Sequence, residues 1–395
     1  VRTAIERAPP ARYGREHREA GRDSKYGTSE HQRATFRWFE SHPWLFADFL
    51  ESCPSSCPIA IPSQQYKAVR HDDPSMNVRQ VVPKDAIPSI DDPTFGADYF
   101  GDPDDLVIVV ETEADSVPPR AYPIRVLHYH EIVNDATGNR PIAVTWCPLC
   151  GSAVVYDAVI DGRALTFGIS GKLADDDLVM YDRETDSEWK QSTGECLTGA
   201  FEGRSLAVLP AGTHSHERFV AEYPDGVVLQ PPGGESEAAS IDDAPATIRY
   251  DVEPYDAYFG NEGFGLAAHR DGDATRTWDR TDLAPKAVVL GIERDGEECG
   301  FPLEHVREAG GVVETTVGET AVVVFATNDS IHAFEHPGDA FEPTDDPRSV
   351  RADDTEWDVE TGRGADGRQL ERLPTRRLFA FTWQDDHGPE AFFDG

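Results

Sequence analysis

The chain is written in short β-type runs, and this limits its fold more than any other feature. Leu106 to Val110, Ile142 to Trp146, Ala153 to Tyr156, Leu165 to Ile169 and Leu178 to Tyr181 are rich in β-branched or aromatic residues. Each is closed by Pro, Gly or Asp, the residues that end strands. The pattern then recurs. Ala287 to Leu303 parallels Leu106 to Ile124, a helix-like stretch follows in each case (Arg125 to Val133, Glu304 to Val313), and a Gly turn and strand come next. Tyr181 to Trp189 is echoed by Thr355 to Gly362. The expected fold is therefore α+β, mostly β: a duplicated β-rich module with a degenerate second copy. The expected divisions are residues 1–80, an extension with a short helical pair around Trp38 and Trp44; 81–230, the first module; 231–278, a linker with connecting strands; and 279–395, the second module.

Charge excludes some function classes. The 395 residues carry 36 Lys and Arg against 73 Asp and Glu, a formal net charge of −37. Only Lys25, Lys67, Lys84, Lys172, Lys190 and Lys286 are lysines. A carboxylate-rich surface repels phosphate backbones, so nucleic acid is not an expected partner. The same surface is screened at molar salt, where the Debye length is about 3 Å, which reads as adaptation to a salty interior. No apolar run reaches the ~18–20 residues of a membrane helix, and Val1 to Arg33 lacks the apolar core of a secretory signal. The expected setting is cytoplasmic. The acidic run Asp175 to Asp177 reads as a solvated one.

Cys147-Pro-Leu-Cys150-Gly151 at a hairpin tip is the sharpest chemical motif. Two thiols separated by two residues in a turn reach one metal ion or each other. The form resembles the knuckle of zinc ribbons and rubredoxins, which need two. Cys53-Pro-Ser-Ser-Cys57 has one extra residue between its thiols, so a four-thiolate site is open but not the favoured reading. Histidines follow the same module: His128-Tyr-His130-Glu131 precedes the thiols, and His214-Ser-His216-Glu217 comes after the later strands. Thiols and imidazoles together suit Zn, Cu or Fe. In the second copy Trp146 to Cys150 falls opposite Ala326 to Ser330, and His130-Glu131 opposite Ala309-Gly310, so every candidate ligand is expected to be lost there.

Arg120 to Asp135 and Pro141 to Asp157, with Phe167 to Gly171, Asp177 to Thr185, Trp189 to Gly194 and Ala86 to Pro93, resemble a prokaryotic, haloarchaeal-like family of unknown function. Its hallmark is a C-P-L-C-G-[ST]-A segment. The resemblance implies no reaction; it places emphasis on His130, Glu131, Cys147, Cys150 and His214, while His128 and Cys196 depart from it. The expected site has Cys147, Cys150, His130 and Glu131 as reacting groups, and Cys147, Cys150, His130 and His214 as metal ligands. The expected activity is thiol-redox or metal-dependent oxidation and reduction, served by a small molecule or a protein redox partner. The alternative is a metal-stabilised interaction module without turnover.

Overall fold

The structure is a computed structural model and describes residues 76–111, 117–240, 244–271 and 276–395. The helical pair expected before residue 80 and the Cys53/Cys57 pair lie outside the described residues. Strands dominate the described chain, and its helices are short, the longest being Ala380–His387. No helix among the described residues is long and apolar enough to cross a membrane.

One order of elements occurs twice. In the first half it runs through strands Leu106–Val110 and Arg120–Pro123, helix Ile124–Leu127, and strands Ile132–Thr137, Arg140–Cys147 and Ser152–Asp157. In the second it runs through Val288–Arg294 and Glu297–Pro302, helix Leu303–Glu308, and Val312–Val317, Thr320–Ala326 and Ile331–Glu335. Pro123 and Pro302 open the two helices with the same backbone angles, φ −63° and ψ 130°. Proline suits that place because the first turn of a helix leaves its N–H groups unpaired. Both helices are shorter than the sequence pattern suggests. The first stops at Leu127, because His130 and Glu131 turn out of it, Glu131 with φ 56°.

The later parts also match, in a different register from the one read in the sequence. Gly194 N–H donates to the Lys190 carbonyl (2.8 Å) and Leu206 N–H to the Gly194 carbonyl (2.9 Å). Gly362 and Leu370 make the same two bonds, to Asp358 (2.9 Å) and to Gly362 (2.9 Å). Glu188 to Gly194 is thus the counterpart of Glu356 to Gly362. Both glycines have left-handed backbones (φ 73° and 71°) against an aromatic ring, Tyr156 or Phe334.

The halves share their central sheet. Its six strands run in the order Glu297–Pro302, Val288–Arg294, Arg376–Phe379, Ser152–Asp157, Arg140–Cys147 and Ile132–Thr137. The strand Arg376–Phe379, near the end of the chain, joins the two sets: it pairs antiparallel with Val288–Arg294, and Arg377 pairs with Ala153. A separate five-stranded sheet carries Phe167–Ala174, Asp177–Asp182 and Glu188–Lys190 beside the thiol hairpin. The largest core cluster includes Cys147, Cys150, Phe167, Met180 and Trp189 together with Phe379 and Phe381.

A methyl group at Gly194 or Gly362 would lie 2.6 Å from a ring carbon and sit on a left-handed backbone. Gly194→Ala and Gly362→Ala should each lower unfolding free energy by about 1–3 kcal/mol. Denaturant unfolding of the two variants checks the equivalence; a neutral result at either position would contradict it.

Candidate functional site: a buried dithiol with a carboxylate

Cys147 ends its strand and pairs with Ser152, so Pro148 to Gly151 form the tip of the hairpin. Gly151 takes φ 55°, and a side chain there would strike the Phe379 ring, 2.6 Å from where its Cβ would be. The turn is held from the far end of the chain: Phe379 N–H donates to the Cys150 carbonyl (2.8 Å), and an Arg377 N–H donates to the Gly151 carbonyl (3.0 Å). Both cysteines are free thiols and buried, Cys150 fully.

The third member of the cluster is Asp177. One atom each from Cys147, Cys150 and Asp177 lie within 4.8 Å of one another. The solvated reading of Asp175 to Asp177 therefore fails. Asp175 and Asp176 both have left-handed backbones (φ 52° and 71°) and form a two-residue turn between Ala174 and its strand partner Asp177. Asp tolerates this conformation better than most residues. The turn swings Asp177, 1% exposed, into the core. The sequence carried a signal for this in two polar turn residues between two strand-like runs.

Around this cluster the interior is polar. Asp177 Oδ2 accepts from Ser192 N–H (2.8 Å), whereas Oδ1 is buried without a partner. Ser152 Oγ and Gln191 Oε1 are likewise buried and unpartnered, while the Thr382 hydroxyl lies against Cys150 and the Ser192 hydroxyl against Asp177. Buried polar groups are normally paired, so orphaned oxygens at the thiol site fit a bound group. Lys190 and Asp386 form a fully enclosed ion pair at 2.5 Å, with side-chain exposures of 4% and 2%. Burial works against the Lys190 charge, but Asp386 and Asp177 outweigh it and raise its pKa.

Burial raises the pKa of Cys147 and takes that of Cys150 well above the ordinary thiol value, with Asp177 pushing the same way. Burial also lifts Asp177 to about 6, against the pull of Lys190. Glu131, on its left-handed corner, rises to about 8 through burial and then through Glu237 and Asp177, and it adds to the upward shift of Cys147. Without a cation the thiols keep their protons. A metal ion would displace them, since thiolate is the ligand.

The two expected imidazoles do not join the thiols. His130 uses both ring nitrogens elsewhere, Nδ1 on the Pro88 carbonyl (2.8 Å) and Nε2 on the Tyr250 hydroxyl (2.7 Å). His214 sits with His332 and Glu360 in a second buried group, its Nδ1 3.2 Å from Glu360. The second half is thus not bare, as its sequence suggested: it supplies His332 and Glu360. Glu131 falls opposite Gly311, each giving its carbonyl to the facing strand, and the second hairpin turns through Thr327 to Ser330 with no thiol at its tip.

A cover lies over the dithiol. Tyr258 donates its hydroxyl to the Leu149 carbonyl (2.6 Å), and Lys286 holds the Tyr258 and Asn261 carbonyls at 2.5 Å. His128 Nδ1 meets Glu253 at 2.7 Å, and Tyr255 and Phe259 pack on the His128 ring. This covering segment occupies much of what reads in sequence as a linker.

A family model described as a protein of unknown function, DUF3179, matches residues 84–391. The chain belongs to this family. No curated protein and no solved structure matches it.

Two outcomes follow from these electrostatics. Lys190→Met leaves Asp386 and Asp177 together without their cation and should cost about 3–5 kcal/mol. Lys190→Met with Asp386→Leu should recover part of that loss, and a double variant no better than the single would contradict the pairing. Burial lowers the pKa of His130 and His214, and takes that of His332 well below the usual value. The folded state therefore binds fewer protons than the unfolded chain, whose histidines titrate near 6.5. Their stabilisation is complete above pH 6.5 and is lost as pH falls through 6.5 toward the folded values. Glu131 and Asp177, with raised pKa values, work in the opposite sense over the same range, so the histidine contribution is read by comparison. Between pH 7.5 and 5.5 the melting temperature of His332→Gln should fall less, or rise more, than that of the native chain, and an equal slope would contradict the assignment.

Proposed function

We propose that the chain works through a transition-metal centre held by Cys147, Cys150 and Asp177, and that it is a metal-dependent oxidoreductase. The observation that carries this reading is the closeness of two buried thiols and a buried carboxylate, with atoms within 4.8 Å of one another, among unpartnered oxygens. Two sulfurs and an oxygen suit a soft or borderline ion such as Zn or Cu(I). Three protein ligands leave a position for water or substrate, as in catalytic centres, whereas structural zinc sites close with four. The Thr382 hydroxyl, which lowers the Cys150 pKa, and the Ser192 hydroxyl, which lowers that of Asp177, flank two of these ligands.

Exchange of the bare dithiol with a protein partner is the weaker form of the redox reading. It needs a reachable thiolate, and here burial opposes both access and ionisation. The interaction-module reading keeps one point in its favour, the full enclosure of the thiols. We also infer that the two halves arose by duplication, supported by their repeated element order and matched hydrogen bonds. On that reading the first module runs over 81–230 and the second over 279–395, and the dithiol belongs to the first alone.

Titration of the purified chain with Zn(II), and with Cu(I) under anaerobic conditions, tests the proposal. The expected result is one ion per chain, lost in Cys147→Ser and Cys150→Ser and weakened at least tenfold in Asp177→Asn. His130→Ala and His214→Ala should keep the stoichiometry. Loss of binding in those two, with retention in Asp177→Asn, would overturn the ligand set. A centre with four protein ligands and no exchangeable position would favour the interaction module.

A further inference from the structure

We propose that a small cavity at the seam between the two halves binds one monovalent anion of halide size. The cavity measures about 20 Å³ and is lined by Arg372, Arg377, His332 and Thr375 with apolar walls that include Ile108 and Leu290. No Asp or Glu lines it, although the chain has 73 of them. That volume holds one water or one small ion, and excludes sulfate and phosphate.

Arg372, Arg377 and His332 bring N–H donors to the lining, and Thr213 and Thr375 bring hydroxyls. Arg377 gives one N–H to the Gly151 carbonyl (3.0 Å), and among the described residues no carboxylate pairs with its guanidinium. Burial alone lowers its pKa to about 10, so the charge has no compensating partner. Arg372 donates to His332 Nδ1 at 3.1 Å. Arginine has no lone pair to offer, so Nδ1 is the acceptor and the ring proton of His332 sits on Nε2. That Nε2 is buried without a partner, in a side chain 2% exposed. The nearest negative group to Arg372 is Glu111, 3.9 Å away. Arg372 also donates to the Glu360 carbonyl, so the uncompensated Arg377 charge and the unused His332 N–H are what favour negative charge among the lining residues, with Arg372 adding its field.

The neighbouring group of His214, His332 and Glu360 does not make this a cation site. Glu360 already accepts from Arg218 Nε (3.1 Å) and Ser330 Oγ (3.2 Å), and His214 lies against it. A divalent ion placed there would also meet the charges of Arg218 and Arg372. Because Arg377 and Phe379 grip the thiol turn, an anion here would brace the strand that joins the halves.

The test is a chloride titration of the whole chain at constant ionic strength, with gluconate as the balancing anion, read by 35Cl NMR line width and by melting temperature. The expected result is excess broadening that saturates, competes with bromide, and accompanies a rise in melting temperature. Arg377→Gln should abolish the saturable broadening. His332→Phe, which keeps a ring but removes the N–H, should weaken binding about tenfold. If Arg377→Gln does not fold, His332→Phe and the native chain decide the matter. Identical behaviour in chloride and gluconate, or unchanged broadening in the variants, would overturn the proposal.

Discussion

The antiparallel seating of Arg376–Phe379 between Val288–Arg294 and Ser152–Asp157 is the interaction on which the rest of this structure depends. This short strand makes one sheet of two sets of strands. It fixes the thiol turn through the Cys150 and Gly151 carbonyls, and its Phe379 ring occupies the space that only glycine leaves at position 151. The helix that follows brings Thr382 and Asp386 to the dithiol, so a residue far along the chain sets the charge balance of a site in the first half. A contact between such distant segments is slow to form but, once made, ties the fate of the two halves together.

Charge in the interior is arranged with care in a chain that is acidic throughout. Lys190 is enclosed between Asp386 and Asp177, and its cation is what permits carboxylates so close to two thiols. Asp177 remains higher in pKa than an ordinary aspartate despite it. The polar side chains around the cluster come from Ser152, Gln191, Ser192 and Thr382, drawn from three separate stretches of sequence, and Ser152 Oγ, Gln191 Oε1 and Asp177 Oδ1 stay unpartnered. Packing alone would favour apolar side chains at such positions, since each orphaned buried oxygen is unfavourable.

Much of the fold was legible because strand periodicity and turn residues are local signals. The β-rich character, the repeated order and the thiol hairpin follow from runs such as Ile142 to Trp146 and from Cys147-Pro-Leu-Cys150-Gly151. The site was legible only in part. Cys147 and Cys150 are adjacent in sequence, so their meeting is nearly dictated. The partner Asp177 was hidden inside an acidic run, where only its place after a two-residue turn marks it out. His130 and His214 suggested ligands by residue type, yet their destinations are set by long-range contacts to Pro88, Tyr250 and Glu360. The helix lengths were overestimated for a similar reason: the left-handed corner at Glu131 answers to the facing strand through Trp146, not to local propensity.

The central claim is that two thiolates and one carboxylate share an ion. X-ray absorption spectroscopy of the metal-loaded chain measures this most directly, because the ion reports the identity and distance of its own neighbours. The account predicts two sulfur neighbours at about 2.3 Å for zinc, with the remaining neighbours oxygen and no imidazole signature. A spectrum with histidine scattering, or without sulfur, would contradict it.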